Sequence, residues 1–137
     1  MERTWNSGLE GGGRTVDDEH RLQLDLLDAV DELVRRGADP ALARRSLQQL
    51  TELSEAHFRS EELLMELYRY ARREAHAEEH RGFSQRLEEI RDRLAAGDAS
   101  RAAEAIGSWR SSLVEHIRAA DLDFARSERG LKYARSL

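Results

Sequence analysis

Apolar positions along this chain recur every three or four residues in four successive segments, which is the spacing of helices that bury one face. In the first segment, the residues on this face are Leu22, Leu26, Leu27, Val30, Leu33 and Val34. No segment shows the period-two alternation of a half-buried strand. Because short connections make consecutive helices antiparallel neighbours, the pattern predicts an all-α fold, an up-down-up-down antiparallel four-helix bundle.

Capping residues predict where each helix begins and ends. The first helix is predicted to begin near Thr15, where an acidic first turn favours the helix dipole, and to stop at Gly37. Asp39-Pro40 marks the start of a second helix that runs towards Tyr70. The third and fourth helices are predicted over about 74–94 and 100–126.

The domain organisation follows from these segments. The 137 residues suffice for one domain, and residues 15–126 are predicted to form the bundle. Residues 127–137 form a short polar C-terminal tail. Residues 1–14 are predicted to form an extended N-terminal arm whose Trp5 packs on the bundle, and the alternative is a disordered segment.

Composition excludes several classes of function. The net charge is −5, with both signs interspersed along the helices, so we expect no nucleic acid and no membrane as partner. The sequence has no cysteine, which excludes disulfides, thiolate zinc sites and iron–sulfur clusters. It also has no apolar run that would span a bilayer and no signal peptide near Met1, so a cytoplasmic location is expected.

The five histidines of the chain fall at one level of the predicted bundle. His20 lies early in the first helix, His57 late in the second, His76 and His80 early in the third, and His116 late in the fourth. In an up-down bundle these positions share a level. A single histidine is most often structural, but that explanation does not account for five at the same height.

Two carboxylates, Glu61 and Asp121, belong to the same level. Glu61 lies four residues after His57, on one helical face. His116 and Asp121 are five residues apart, which on a regular helix turns them about 140° from each other. Either Asp121 reaches the cluster from a different side or the fourth helix contains a π-type turn. Buried polar groups of this kind are costly unless they are paired or bind a metal, and imidazole with carboxylate suits iron.

Four segments together resemble the bacterial hemerythrin family: VDDEH at 16–20, HFRSEE at 57–62, HAEEH at 76–80 and HIRAAD at 116–121. The similarity extends from Trp5 to about Phe124. It implies a non-haem di-iron centre, with two Fe ions joined by an oxo or hydroxo bridge, that binds O2 reversibly. It also implies a ligand set: His76, His80 and His116 on one iron, His20 and His57 on the other, and Glu61 and Asp121 bridging both. The open position for O2 would lie on the iron of His20 and His57.

The resemblance also implies an O2 pocket, for which we expect Gln23, Phe58, Phe83, Ser112 and Leu113. Gln23 stands where the family normally has a large aliphatic residue, and Ser112 where tryptophan is common. The pocket is therefore expected to be more polar and more open than usual. Gln23 either turns inward towards O2 or faces a helix interface, in which case Leu24 fills the pocket.

Three functions are consistent with this ligand set. The first is an O2-binding protein acting as carrier, buffer or sensor, and the second is a di-iron redox enzyme acting on peroxide or another small oxidant. A ferroxidase ranks behind both because ferritin-like sites are richer in carboxylates. We also expect the metal-free chain to be destabilised, increasingly as pH falls and its clustered histidines become charged. No protein partner is indicated.

Overall fold

The structure, a computed structural model that describes residues 14–37 and 39–127, contains four long helices. They are α1 Arg14–Arg35, α2 Pro40–Leu67, α3 Arg73–Ala95 and α4 Ala99–His116. A π-helical turn, Ile117–Asp121, and a short helix α5, Leu122–Arg126, continue from α4. Each long helix packs on the next and α4 packs on α1, which confirms the predicted four-helix bundle. The described residues contain no strand, and none of their helices is long and apolar enough to cross a membrane.

Two predicted capping residues, Gly37 and Asp39, lie at helix ends as expected. Gly37, with φ of +63°, adopts the left-handed conformation just after α1, where glycine meets no steric penalty. The Asp39 side chain caps α2 by accepting a hydrogen bond of 2.9 Å from the Ala41 amide. At the α3–α4 connection, the structure adds a cap that the sequence analysis does not name: the Asp98 side chain accepts a hydrogen bond of 3.1 Å from the Arg101 amide.

Two helix ends differ from the prediction. Helix α1 is already helical at Arg14, the first described residue, so Thr15 lies inside the helix and is not its N-cap. Helix α2 ends at Leu67, before Tyr70, because Arg69 takes a left-handed φ of 54° that a helix cannot continue. The expected N-terminal arm with Trp5 and the tail after residue 127 lie outside the described residues.

The buried face of α1 is rotated from the one that the apolar pattern predicts. Leu22 is 48% exposed, although it was expected to face the core. The buried stripe instead includes the polar residues His20 and Gln23, which a purely apolar pattern omits. Leu27 and Val30 are fully buried on this stripe, as predicted. The polar members of the stripe are the first sign that α1 faces a functional site.

The apolar core lies on one side of the histidine level. It is formed by residues that include Leu27, Leu50, Ile90 and Trp109, whose indole Nε1 donates a 3.0 Å hydrogen bond to the Phe83 carbonyl. On the other side of the histidine level, Met65, Leu122 and Phe124 are buried near the end of the bundle. The histidines therefore occupy a polar layer enclosed between two apolar regions.

Candidate metal centre

All seven residues predicted as ligands meet in the bundle interior. None of them is more than 5% exposed: His20, His57, Glu61, His76, His80, His116 and Asp121. One comes from α1, two from α2, two from α3, one from α4 and one from the π-helical turn. We call these seven residues the cluster.

The cluster divides into two overlapping groups. The three-histidine group contains His76, His80 and His116 with the two carboxylates, and the two-histidine group contains His20 and His57 with the same carboxylates. In each group, one ligand atom per residue lies within 4.8 Å of all the others. Glu61 and Asp121 are thus shared, which is the arrangement that two neighbouring metal ions with bridging carboxylates require.

The π-helical turn brings Asp121 into the cluster. One extra residue in the turn reduces the angle between positions five apart from about 140° to about 40°. As a result, His116 Nε2 lies 3.0 Å from Asp121 Oδ1. Of the two alternatives that the sequence left open, the π-type turn is therefore the one that the structure contains.

His76 lies closest to both shared carboxylates. Its Nε2 is 2.6 Å from Glu61 Oε1 and 2.7 Å from Asp121 Oδ1. The other Asp121 oxygen, Oδ2, lies 2.9 Å from His20 Nε2. Asp121 therefore contacts both groups: Oδ1 faces the three-histidine group and Oδ2 faces the two-histidine group.

Several buried atoms of the cluster have no aligned hydrogen bond within the described chain. They are both ring nitrogens of His20, Nε2 of His57 and Oδ1 of Asp121. Three of them, His20 Nε2, His57 Nε2 and Asp121 Oδ1, lie close to other cluster atoms, yet these contacts lack hydrogen-bond alignment. Lone pairs that converge in a buried space without partners are what a metal ion would satisfy, so the residues fit a metal centre.

Carboxylates outside the cluster hold three of its histidines, and the sequence analysis missed them. His57 Nδ1 bonds to Glu19 at 3.1 Å, His80 Nδ1 to Glu62 at 2.9 Å, and His116 Nδ1 to Glu79 at 3.0 Å. Such contacts leave Nε2 to face a metal and fix the ring orientation. The signal was present, because all three glutamates lie inside the four segments quoted above.

Ion pairing within the cluster controls the pKa values. Burial opposes the charged form of His57, but Glu19 and the charges of Glu61 and Asp121 outweigh it and raise the pKa of His57 to about 9. For His76, burial is likewise outweighed by close contacts with Asp121 and Glu61, and its pKa rises to about 10. Burial and the charge of Asp121 act to raise the pKa of Glu61, but its histidine contacts prevail and lower it.

The same pairing overturns our expectation for the metal-free chain. Protonated histidines do not face only one another; each approaches a carboxylate whose charge is retained, because the Asp121 pKa is held well below its ordinary value by His116, His20 and His76 against the effect of burial. A histidine whose pKa rises on folding stabilises the fold when protonated. For His57 and His76, falling pH between about 10 and 6.5 is therefore stabilising, which is opposite to the sign that the sequence analysis expects for the clustered histidines.

The residues predicted for the O2 pocket are distributed over all four long helices. Gln23 is fully buried at the α1–α2 interface, where its amide nitrogen donates to Ser54 Oγ at 3.1 Å, and Leu24 is also buried. The Phe58 ring stacks on His80 with 4.2 Å between ring centres. Phe83 lies 5.2 Å from His116 by the same measure. Leu113 is buried on α4.

Ser112 lines a groove between α3 and α4. The groove has a volume of about 500 Å³, and His116 and Phe83 lie at its inner side. Gly82 also lines it, and a side chain added there would meet open space. The groove brings the surface close to the three-histidine group.

Comparison with known proteins agrees with this geometry. Residues 12–126 match the family described as the hemerythrin HHE cation binding domain. Bacteriohemerythrins of Pseudomonas paraeruginosa and Pseudomonas aeruginosa are each 28% identical over 94 residues, which cover 69% of this chain but only 61% of the relative. A crystal structure of wild-type hemerythrin superposes with a TM-score of 0.79 at 25% identity, covering 90% of this chain and 95% of that one. The chain therefore belongs to the hemerythrin family.

Proposed function

We propose that the cluster holds two iron ions and binds O2 reversibly, so that the chain acts as an oxygen carrier, buffer or sensor. The three-histidine group would hold one ion and the two-histidine group the other. One observation carries this proposal: buried ring nitrogens of His20 and His57 and an oxygen of Asp121 converge without hydrogen-bond partners. Imidazole and carboxylate together are a donor set suited to iron.

The unequal ligand numbers support an open position at the two-histidine group. This group offers four residues and the three-histidine group offers five, with Glu61 and Asp121 counted in both. When bound, the irons would supply the electrons and the open coordination position that reversible O2 binding needs. The protein contributes the enclosure, the ligand geometry and the orientation of each ring.

Residues around the cluster have two tasks in this proposal. Glu19, Glu62 and Glu79 accept the Nδ1 proton of a histidine, so that Nε2 presents its lone pair to the metal. The apolar rings of Phe58 and Phe83 keep the space beside the histidines dry. The proposed O2 pocket comprises Gln23, Phe58, Phe83, Ser112 and Leu113.

The proposal is tested by loading the chain with ferrous iron without oxygen and then admitting air. We expect two irons per chain and an absorption band that appears with air and disappears on degassing. One zinc per chain, or no metal after loading, would sink the proposal. Repeated cycles of air and degassing measure how much of the signal is reversible.

A second candidate, a di-iron redox enzyme that acts on peroxide or another small oxidant, has its own support. The Ser112 groove lies beside His116, and the buried Gln23–Ser54 pair is polar, so both features favour the entry of water and polar oxidants. This function predicts immediate, irreversible oxidation in air together with rapid consumption of added peroxide. A cytoplasmic location remains a prediction from the sequence.

A further inference from the structure

Among the described residues, no carboxylate outside the cluster bonds to His20, whereas three other histidines of the cluster each have such a partner. Its Nδ1 is buried and has no hydrogen-bond partner within the described part of the chain. If His20 Nε2 binds a metal, as its position 2.9 Å from Asp121 suggests, Nδ1 carries the ring proton and needs an acceptor. A buried donor without an acceptor is costly.

A complementary atom lies one helical turn away. Gln23 Oε1 is buried and also lacks a partner among the described residues. The Gln23 amide is fixed from its other side, because its Nε2 donates to the buried Ser54 Oγ at 3.1 Å. Gln23 follows His20 by one turn of α1, and Ser54 precedes His57 by one turn of α2. The Gln23–Ser54 pair thus forms the layer next to the two-histidine group.

We propose that one buried water molecule links His20 Nδ1 to Gln23 Oε1. Buried waters typically bond polar groups that the protein leaves unsatisfied, and this pair supplies one donor and one acceptor. Gln23 is then a positioning residue for His20, and Ser54 fixes Gln23. The inference rests on the proposed function because it takes His20 as a metal ligand.

This link makes His20 a weaker ligand than its neighbour His57. Glu19 bonds directly to His57 Nδ1 and, as a carboxylate, raises the basicity of that ring. A neutral amide acting through water raises the basicity of His20 less. The iron of the two-histidine group is therefore the one that leaves first.

Release of iron to an excess of chelator tests the link. After iron content is measured, the loaded chain and its variants are mixed with chelator at neutral pH and release is followed over time. In the unaltered chain, we expect one iron to be released in a fast phase and the other in a slow phase. In Gln23→Leu the fast phase accelerates by about 10- to 100-fold, the usual effect of losing an outer partner, and the slow phase is unchanged. Gln23→Glu supplies an acceptor again, so its fast iron is released more slowly than that of Gln23→Leu.

Thr51→Val is the matched control, because Thr51 also carries a polar group on α2 but bonds only to its own helix, at the Leu47 carbonyl. Both of its phases are expected to equal those of the unaltered chain. The metal-free Gln23→Leu chain is expected to melt close to the unaltered one, because an apolar side chain of similar size in this buried position offsets the lost hydrogen bond to Ser54. A positioning role is thereby separated from a structural role, in which the melting temperature falls.

Equal fast phases in the unaltered chain and Gln23→Leu overturn the proposal. So does a structure of the iron-loaded protein in which His20 Nδ1 bonds directly to another group. An unaltered chain that does not hold two irons contradicts the proposed function and removes the basis of this inference with it. Because iron content is measured before the chelator is added, the two failures are distinguishable.

Discussion

The two ends of the cluster share their carboxylates but are held by different surroundings. At the three-histidine group, Glu62 and Glu79 bond to His80 and His116, and His76 makes short contacts with both Glu61 and Asp121. At the two-histidine group, Glu19 bonds to His57, but no described carboxylate outside the cluster bonds to His20, and the layer next to His20 is an amide–hydroxyl pair. Histidines of the two groups can therefore differ in how strongly they bind a metal ion, because their outer partners differ in charge.

Removing one histidine from each end of the cluster is expected to have the largest effect on iron binding. His76→Ala should abolish binding of both irons, because His76 contacts both shared carboxylates. His20→Ala should keep one iron, held by the three-histidine group. Iron per chain, measured after circular dichroism has shown that each variant is helical, checks both expectations. Two irons in His76→Ala would contradict the assignment of this ligand.

The stabilisation by metal is expected to grow as pH rises from about 6.5 to 10. The pKa values of His57 and His76 lie at about 9 and about 10 in the folded metal-free chain, above the ordinary value of 6.5. Protonation therefore stabilises the metal-free fold fully below pH 6.5, and this contribution is lost as pH rises through the folded pKa values. Each such histidine changes the free energy of unfolding by up to about 1.4 kcal/mol per pH unit.

The iron-loaded chain keeps these histidines neutral as ligands and does not share that loss. Thermal melting of the metal-free and loaded chains between pH 6 and 10 measures the difference. A gap between the two melting temperatures that narrows as pH rises would show that the histidine–carboxylate pairs do not stabilise the empty cluster.

Neutralising one outer carboxylate at each end tests the role of these partners. Glu79→Gln and Glu19→Gln should each lower iron affinity by about 10- to 100-fold, because the amide no longer makes a charged hydrogen bond to the imidazole. Glu79→Gln should affect the slowly released iron and Glu19→Gln the rapidly released one. Glu78→Gln is the control, since Glu78 is exposed and pairs with Arg81. Competition with a chelator gives the affinities, and equal affinities in all three variants would exclude the role.

Closing the groove beside the three-histidine group should have the smallest effect. Ser112→Trp fills space between α3 and α4 next to His116, so entry of a small anion such as azide should slow a few-fold. The final spectrum should be unchanged, because Ser112 contacts no metal in the proposed site. Ser100→Trp, an exposed serine-to-tryptophan change at the start of α4, is the control. Stopped-flow absorption measures the rate, and an unchanged rate in Ser112→Trp means that ligands enter elsewhere.

The four-helix bundle and the position of its polar layer could be predicted from local features of the sequence. Helical periodicity and the capping residues at Gly37 and Asp39 fixed the order of the helices. Because these features act locally, they can be recognised without the tertiary fold. The common level of the five histidines followed from the helix order alone, and the structure brings all seven predicted ligand residues together there.

The rotation of each helix about its axis and the contacts between helices are visible only in the tertiary structure. The exposure of Leu22 and the burial of Gln23 depend on how α1 is turned about its axis, which buried polar residues help to set. The π-helical turn that carries Asp121 needs the whole bundle to hold it, since local spacing allowed two geometries. The pKa values of His57 and His76 rise because carboxylates from other helices lie beside their rings. Electrostatics of this kind depends on distances across the fold, and those distances are not written in the spacing of residues along the chain.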